Sequence, residues 1–518
     1  MFNLTRSLDR NADRTPHEDA VIFRGTRLTH RQLLDRVNAL AAAFRAAGVG
    51  KGDIVALLMG NRPEFLESAL AVNRVGAAFL PINVRLAEPE LEYIIRHAGA
   101  VAIVTEPGFA APVAAIGSRL TTRWTVVMAG GDEGAKPDAA EYESFLGSQQ
   151  GASVPPADVS EDDLHRLMYS SGTTAHPKGV PVSYRNFYWK TIAHIAEFGL
   201  SAADRTLMAG PMYHVGAFDL PGIGTWWAGG SLVILPRFDV PDLLDAIERE
   251  QPTNAWLAPA MVNATLNAIA QSPELGKRST ASIRFITGGG EKMPLPLIER
   301  LLAAFPNARF ADAYGLTETV SGDTFNDQAH TLSKIGSVGK PVVNLDVRIL
   351  GPDDAPVPLG EQGEIALRGP KVVSGYWKNP DATAAAFTSD GWFRTGDIGH
   401  LDADGYLYID DRKKDMIVSG GENVATSEVE RVLYECGAVL EAAVVAMPDE
   451  RWGEVPRAFV VLKPDELVTE QALIAHCRSR LAGFKTPKQV VFLAALPRNP
   501  SGKVLKRELR GFDSKAEG

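Results

Sequence analysis

Apolar residues along this chain follow two alternating periods. Leu33, Leu34, Val37, Leu40, Ala41 and Phe44 recur at helical spacing behind Thr29-His30-Arg31-Gln32, a capping box, and Gly48 closes the segment. A short apolar run from Ile54 to Leu58 then predicts a buried strand. Residues 62–75 predict the next helix, 77–82 the next strand, and 101–104 another. Strands alternating with helices imply α/β layers around a largely parallel sheet. Between Met128 and Ala157 the chain turns rich in Gly, Ala, Ser, Asp and Pro, so a loop between two halves of a large domain is expected there. The rhythm resumes with strand 231–235, helix 240–250, strand 255–257, strand 283–287 entering a glycine turn, and helix 293–304. From Ile335 onward, short β runs at 346–350, 363–367 and 406–409 lie among Gly and Pro and predict a β-rich subdomain.

Six consecutive charges, Asp410 to Asp415, break the pattern. Such a run alone is usually a solvated turn. Beyond it lie about a hundred residues with strands expected at 416–418, 441–447, 458–462 and 490–492, and helices at 427–434 and 470–481. That is enough for a small α+β domain, so the charged run is taken as the boundary. The fold class is α/β: a large N-terminal domain of layered α/β subdomains plus the β-rich subdomain at 1–411, then a small α+β domain at 415–518. No internal repeat is visible.

Composition narrows the function. A chain of 518 residues exceeds one core, and two or three domains are expected. Apolar content of 45% and charged content of 22% suit an ordinary globular protein. A formal net charge of -10 argues against nucleic acid as the main partner. Cys436 and Cys477 give no disulfide framework and fit a reducing compartment. The first twenty residues mix both signs of charge and do not read as a signal peptide; no run approaches a membrane span. A cytoplasmic location is the default expectation. Oligomeric state is not written in the pattern, and a homodimer stays open.

The chemistry concentrates in Tyr169-Ser170-Ser171-Gly172-Thr173-Thr174-Ala175-His176-Pro177-Lys178-Gly179. Hydroxyls and glycine amides are donors that can surround phosphate oxygens, and Lys178 adds a mobile positive charge. The spacing is not that of a Walker A loop, which needs Gly, four residues, then Gly-Lys-Ser/Thr. A second cluster is Asp312-Ala313-Tyr314-Gly315-Leu316-Thr317-Glu318. There a tyrosine can lie against a nucleobase, a threonine can bind phosphate, and a carboxylate can hold Mg²⁺ beside phosphates. Gly288-Gly289-Gly290-Glu291 permits close backbone approach to a flat ligand. In Trp392-Phe393-Arg394-Thr395-Gly396-Asp397 the carboxylate suits a ribose diol, because it accepts two hydrogen bonds. Pro497 to Lys506 is a basic segment that alone reads as a solvated tail or a nucleic-acid patch.

Together these motifs resemble the acyl-adenylate-forming superfamily, in its acyl-CoA synthetase and aryl-CoA ligase branch, over about residues 10–510. The resemblance implies an AMP-forming acid–thiol ligase using ATP, Mg²⁺ and coenzyme A. It implies a phosphate loop at Ser170, Ser171, Gly172, Thr173, Thr174 and Lys178, with Gly289, Gly290 and Asp312 on the adenine side. Tyr314 would stack on adenine, Thr317 contact the α-phosphate, and Glu318 ligate Mg²⁺. Asp397 and Arg412 would hold the ribose. Lys503 would bridge the substrate carboxylate and the α-phosphate. His214 would be an aromatic gate, while Gly421, Trp452 and Arg85 would serve coenzyme A. Residues 412–414 would be a hinge, with 415–518 mobile between half-reactions. Ala175 and Asp411 both stand where the family usually has glycine, and Thr486 stands where some relatives carry arginine. The acyl pocket would involve Trp189, Ala193, Phe218, the 258–260 turn, Gly290 and Val320. No lysine is obvious there to pair a second carboxylate, which favours a monocarboxylate. The lean is toward aromatic, hydroxycinnamate-type acids. Fatty acids, or a carrier-protein thiol as acceptor, stay open.

Overall fold

The computed structural model describes residues 2–120, 125–129, 140–170, 177–289, 293–412, 415–419, 422–449, 451–498 and 504–512. The chain divides into two compact units: residues 1–335, 339–346 and 368–393 form the first, and 336–338, 347–367 and 394–518 the second. The expected boundary at 412–414 falls inside the second unit. The β-rich strands expected to go with the N-terminal domain group with the C-terminal residues instead, apart from the ends at Asp346, Arg368 and Phe393.

Among the described residues, the first unit holds two sheets. The larger has nine strands, and its centre runs in the order Arg309–Tyr314, Phe285–Gly289, Asn254–Trp256, Arg205–Met208, Ser231–Ile234 and Asp19–Phe23, all parallel. The smaller has seven, with Ile54–Leu58 parallel to both Ala78–Pro81 and Ala102–Thr105. One antiparallel pair matters most. Leu164–Ser170 and Lys178–Ser183 form a hairpin in which Tyr169 faces Gly179 and Ser170 faces Lys178. The two strands flank the phosphate-loop stretch in sequence, and its residues 171–176 lie outside the described residues.

Local physics explains the helices that carry the site. Thr29 accepts from the backbone N–H of Gln32, and the Gln32 side chain returns the bond, so helix His30–Ala46 starts where the sequence places it. Ser183 and Asn186 do the same for helix Tyr184–Phe198, which Gly199 ends in a left-handed conformation. Phe44, Phe65 and Phe79 are wholly buried in the first core, each contributing about 1.5–3 kcal/mol.

The stretch expected to be a loop at 128–157 contains a helix, Tyr142–Gly147. Tyr142 and Leu146, one turn apart, are both buried, and the Tyr142 hydroxyl donates to Glu67 at 2.8 Å. Those two anchors, with Glu141 accepting from the backbone N–H groups of Glu143 and Ser144, order 142–147; residues 130–139 lie outside the described residues. The charged run also differs from a turn. Asp410–Arg412 complete the strand Leu407–Arg412, and buried Asp411 accepts the backbone N–H groups of Arg412 and Thr426.

In the second unit, Asp346–Leu350, Gly363–Arg368, Phe393–Leu401 and Leu407–Arg412 make a four-stranded sheet. A further sheet pairs Val439–Asp449 with Gly453–Leu462 and is covered by helices Thr426–Tyr434 and Glu470–Arg478. No helix among the described residues is long and apolar enough to cross a membrane.

Candidate active site

The two ends of the phosphate-loop hairpin are held from outside. Tyr169 meets His97 Nδ1 at 2.7 Å, and the Tyr93 hydroxyl donates to the Pro177 carbonyl at 3.4 Å. Tyr93 and His97 lie one turn apart on helix Glu88–Ala98, with their rings stacked at 5.4 Å. Burial pushes the Tyr169 hydroxyl up, so it stays a neutral partner. On the return strand, Gly179 accepts from the Trp377 backbone at 2.8 Å. A Cβ at Gly179 would fall 2.8 Å from Trp377 Cβ, so glycine is required by close approach. Of the expected phosphate-loop residues, Ser170 and Lys178 are described; Ser171, Gly172, Thr173 and Thr174 are outside the described residues, as is Ala175.

Strand Arg309–Tyr314 delivers the second motif. Asp312 is buried on it and Tyr314 half-buried at its end. A single helical turn, Thr317–Thr319, follows. Glu318 is buried, and one carboxylate oxygen accepts two hydroxyls at 3.1 Å, from Ser170 and from Tyr376. Lys178 Nζ lies over the Tyr376 ring, 4.6 Å from its centroid. Ser170, Lys178 and Glu318 are therefore brought together, with Tyr376 as the shared surface. Tyr376 escaped the sequence reading, although the aromatic pair Tyr376-Trp377 in a Gly-rich stretch was a signal. Burial and the neighbouring Glu318 push its hydroxyl up, so it remains a donor. Gly289 packs against the same strand, where a Cβ would fall 2.8 Å from the Ala313 carbonyl oxygen. Gly290 lies outside the described residues.

His214 caps helix Val215–Asp219, its Nδ1 accepting from the Gly216 backbone at 3.4 Å. Trp256 lies beside it. Cβ atoms built at Gly210 and Gly216 would each fall 2.7 Å from the Trp256 indole, so these glycines make room for the ring. Arg85 is exposed, and its charge reaches Tyr213, next to His214. Trp189 is half-buried and Ala193 buried on helix Tyr184–Phe198, and Val320 is buried. Phe218, expected to line the acyl pocket, instead packs edge-on against Phe65 and Phe79 in the core.

Two buried ionic clusters underlie these segments, and the sequence reading missed both. Asp219 receives Arg166 through two bonds at 2.6 and 3.2 Å, and Lys190 lies 3.2 Å from its carboxylate. All three side chains are essentially inaccessible to solvent. Burial pushes Lys190 down to about 8, with Asp219 opposing and Arg166 assisting. The second cluster pairs Lys371 with Asp323 at 2.7 Å.

In the second unit, Asp397 is buried and takes Arg412 Nε at 2.7 Å; the two face each other across an antiparallel pair. Trp452 is exposed in a tight turn, with the Arg451 guanidinium stacked on it at 4.7 Å. Gly421, Lys414 and Lys503 lie outside the described residues.

The AMP-binding enzyme family matches residues 8–377, and the C-terminal domain of AMP-binding enzymes matches 428–503. The chain belongs to the AMP-binding enzyme family. It is 40% identical over 501 residues to a feruloyl-CoA synthase of an Amycolatopsis species, covering 97% of each chain. Over 512 residues it is 36% identical to a long-chain-fatty-acid–CoA ligase of Mycobacterium tuberculosis, covering 98% of each. The crystal structure of an anthranilate CoA ligase in complex with anthranoyl-AMP matches with a TM-score of 0.90 at 27% identity, covering 98% of this chain and 96% of that one. Within this AMP-binding enzyme, no group of three or more His, Cys, Asp or Glu side chains gathers among the described residues as a cage for a cation. Glu318 offers a carboxylate beside hydroxyls and the phosphate-loop hairpin. Such a donor fits Mg²⁺ shared with phosphate oxygens better than an all-protein site.

Proposed function

We propose that this enzyme is an ATP-dependent, AMP-forming acyl-CoA ligase acting on an aromatic monocarboxylic acid of the hydroxycinnamate type. The observation that carries the reading is the Glu318 carboxylate held by Ser170 and Tyr376 at the mouth of the phosphate-loop hairpin, with Lys178 alongside. A carboxylate oxygen of the substrate attacks the α-phosphorus of ATP, and pyrophosphate leaves with the bond it held. The thiol of coenzyme A then attacks the acyl carbonyl, loses its proton, and AMP leaves. Thr317 contacts the α-phosphate, Tyr314 stacks on adenine, and Asp397 with Arg412 holds the ribose. Lys503 neutralises charge as carboxylate and phosphate meet. Mg²⁺ on Glu318 would supply charge neutralisation at the phosphates. Trp452, Arg85 and Gly421 serve coenzyme A, and residues 412–414 form the hinge that separates the two half-reactions.

Support for an aryl acid comes from the feruloyl-CoA synthase relative, and the Trp256 indole packed against Gly210 and Gly216 is taken as a flat wall of the acyl site. A fatty acid is the second reading, favoured by the fatty-acid ligase relative. A panel of hydroxycinnamates, benzoates and C4–C16 fatty acids, assayed for acid-dependent pyrophosphate release and thioester formation, decides. The highest kcat/KM is expected for a hydroxycinnamate. A preference for long alkyl chains overturns the substrate class. Acyl transfer to a holo-carrier protein but not to coenzyme A overturns the acceptor.

A further inference from the structure

The loop behind the Thr317–Glu318 segment is strained. Val320, Ser321 and Gly322 stand in succession at φ of 58°, 66° and 60°. For the two residues with a Cβ this left-handed conformation costs about 1–2 kcal/mol each, and it is rarest for a β-branched side chain. The third position accepts only glycine, since a Cβ there would fall 2.5 Å from His194 Nε2. Something must hold the turn in this shape.

Lys371 does. It is buried, and its ammonium donates to the Ser321 carbonyl at 2.8 Å, the Gly322 carbonyl at 2.7 Å and the Asp323 carboxylate at 2.7 Å. Those three bonds use all its protons. The turn in its grip is folded directly onto the nucleotide motif. Ser321 N–H donates to the Leu316 carbonyl at 2.9 Å, Val320 N–H to Thr317 at 3.1 Å, and Asp323 N–H to Tyr314 at 2.7 Å. The Thr319 hydroxyl bonds the Asp323 carboxylate. Gly315 lies so close to the turn that a Cβ on it would fall 2.5 Å from Gly322 N. Two residues past Lys371, Val373 N–H donates to the Glu318 carbonyl at 3.0 Å.

We propose that Lys371 is a positioning residue for the adenylation step: its ammonium clamps the left-handed turn 320–322, and the turn seats Thr317 and Glu318. This rests on the roles proposed above for Thr317 and Glu318. Lys371 touches no substrate; it acts through the backbone of the turn. Without it the turn loses its three anchors, and the strain relaxes into the segment that carries the reacting contacts.

The test uses the full-length enzyme and an acid it accepts. Lys371→Met is expected to lower kcat for pyrophosphate release by about 10- to 100-fold, the loss a displacement of roughly 1 Å brings. Thioester formation from supplied acyl-AMP and coenzyme A, which does not need Glu318 at a metal, is expected to change by less than about threefold. Ser321→Gly in the Lys371→Met background is expected to restore part of the lost rate, because glycine takes the left-handed conformation unaided. Ser321→Gly alone is expected to leave both half-reactions near wild type. If Lys371→Met does not fold, Lys371→Met with Asp323→Asn removes both charges and leaves no unpaired ion, and the same split between half-reactions is expected. Wild-type pyrophosphate release in either variant overturns the proposal. So does an equal fall in both half-reactions that Ser321→Gly does not relieve, which is what simple destabilisation produces. The wild-type control keeps this separate from the assignment of the reaction. No pyrophosphate release from wild type with any acid overturns the ligase reading, whereas equal release from wild type and variant overturns the role of Lys371.

Discussion

Lys190→Met should raise stability at neutral pH, and the gain should shrink as the solution becomes alkaline. Lys190 is fully buried on helix Tyr184–Phe198, its ammonium 3.2 Å from both the Asp219 carboxylate and the Asp219 carbonyl. Asp219 already has Arg166 as a bidentate partner. Burial, with Arg166 assisting, pushes the lysine from 10.5 down to about 8. A lysine with a lowered value in the fold binds fewer protons folded than unfolded between those limits. Stability therefore rises with pH from about 8 to about 10.5 and is flat below. Below pH 8 the charged lysine costs about 3 kcal/mol relative to its neutral form, from roughly 2.5 pH units at 1.36 kcal/mol each. Methionine has similar length and leaves the Arg166–Asp219 pair intact, so the variant should be about 1–3 kcal/mol more stable at pH 7. Between pH 7 and 9.5 wild type should recover about 2 kcal/mol of that difference. Denaturant unfolding of both proteins at the two pH values reads this directly: groups that do not sense Lys190 cancel in the difference, and His165 and His194, which do, are held neutral in the fold over this range by burial. Parallel stability curves would refute the lowered lysine. A variant weaker by more than about 2 kcal/mol at pH 7 would show instead that the lysine charge holds the cluster together.

Two further outcomes follow from the site. Lys503→Ala should lower acyl-AMP formation by about a hundred- to a thousandfold while thioester formation from supplied acyl-AMP largely survives; equal loss in both would remove Lys503 from the first step. Gly216→Ala puts a Cβ 2.7 Å from the Trp256 indole, so it should cost about 1–3 kcal/mol by denaturant unfolding and shift kcat/KM among acids of different width without changing the KM for ATP. An unchanged acid profile would detach Trp256 from the acyl site.

The parts of this fold legible in the sequence are those decided by neighbours in the chain. Helix Val240–Glu250 runs between the residues its periodicity marks, because Asp239 caps it and every third or fourth residue is apolar. The capping box at Thr29–Gln32 and the strand Ile54–Leu58 are equally local. What stayed hidden is decided by partners far away in sequence. Tyr376 meets Glu318 across 58 residues, Arg166 meets Asp219 across 53, and Lys371 meets Asp323 across 48. A charged residue read alone defaults to the surface, because an unpaired buried charge is too costly to assume. Glu318 and Lys178 could be picked out because their motifs give fixed local spacing. Their supports have no such spacing.

One trace of the buried network was nonetheless present. On helix Tyr184–Phe198, the buried face includes Phe187, Lys190, Thr191, His194 and Phe198, each three or four residues from another of the set. That is the period of a core stripe, yet its middle is cationic and polar. A lysine at such a position cannot reach water, so the stripe itself demands a carboxylate from another element. Asp219 is that carboxylate, five residues after His214 and bound to Arg166 of the strand that runs into the phosphate loop. One aspartate thus ties the helix, the His214 segment and the phosphate-loop strand together. The geometry that the motifs need is maintained by charges that the motifs do not contain.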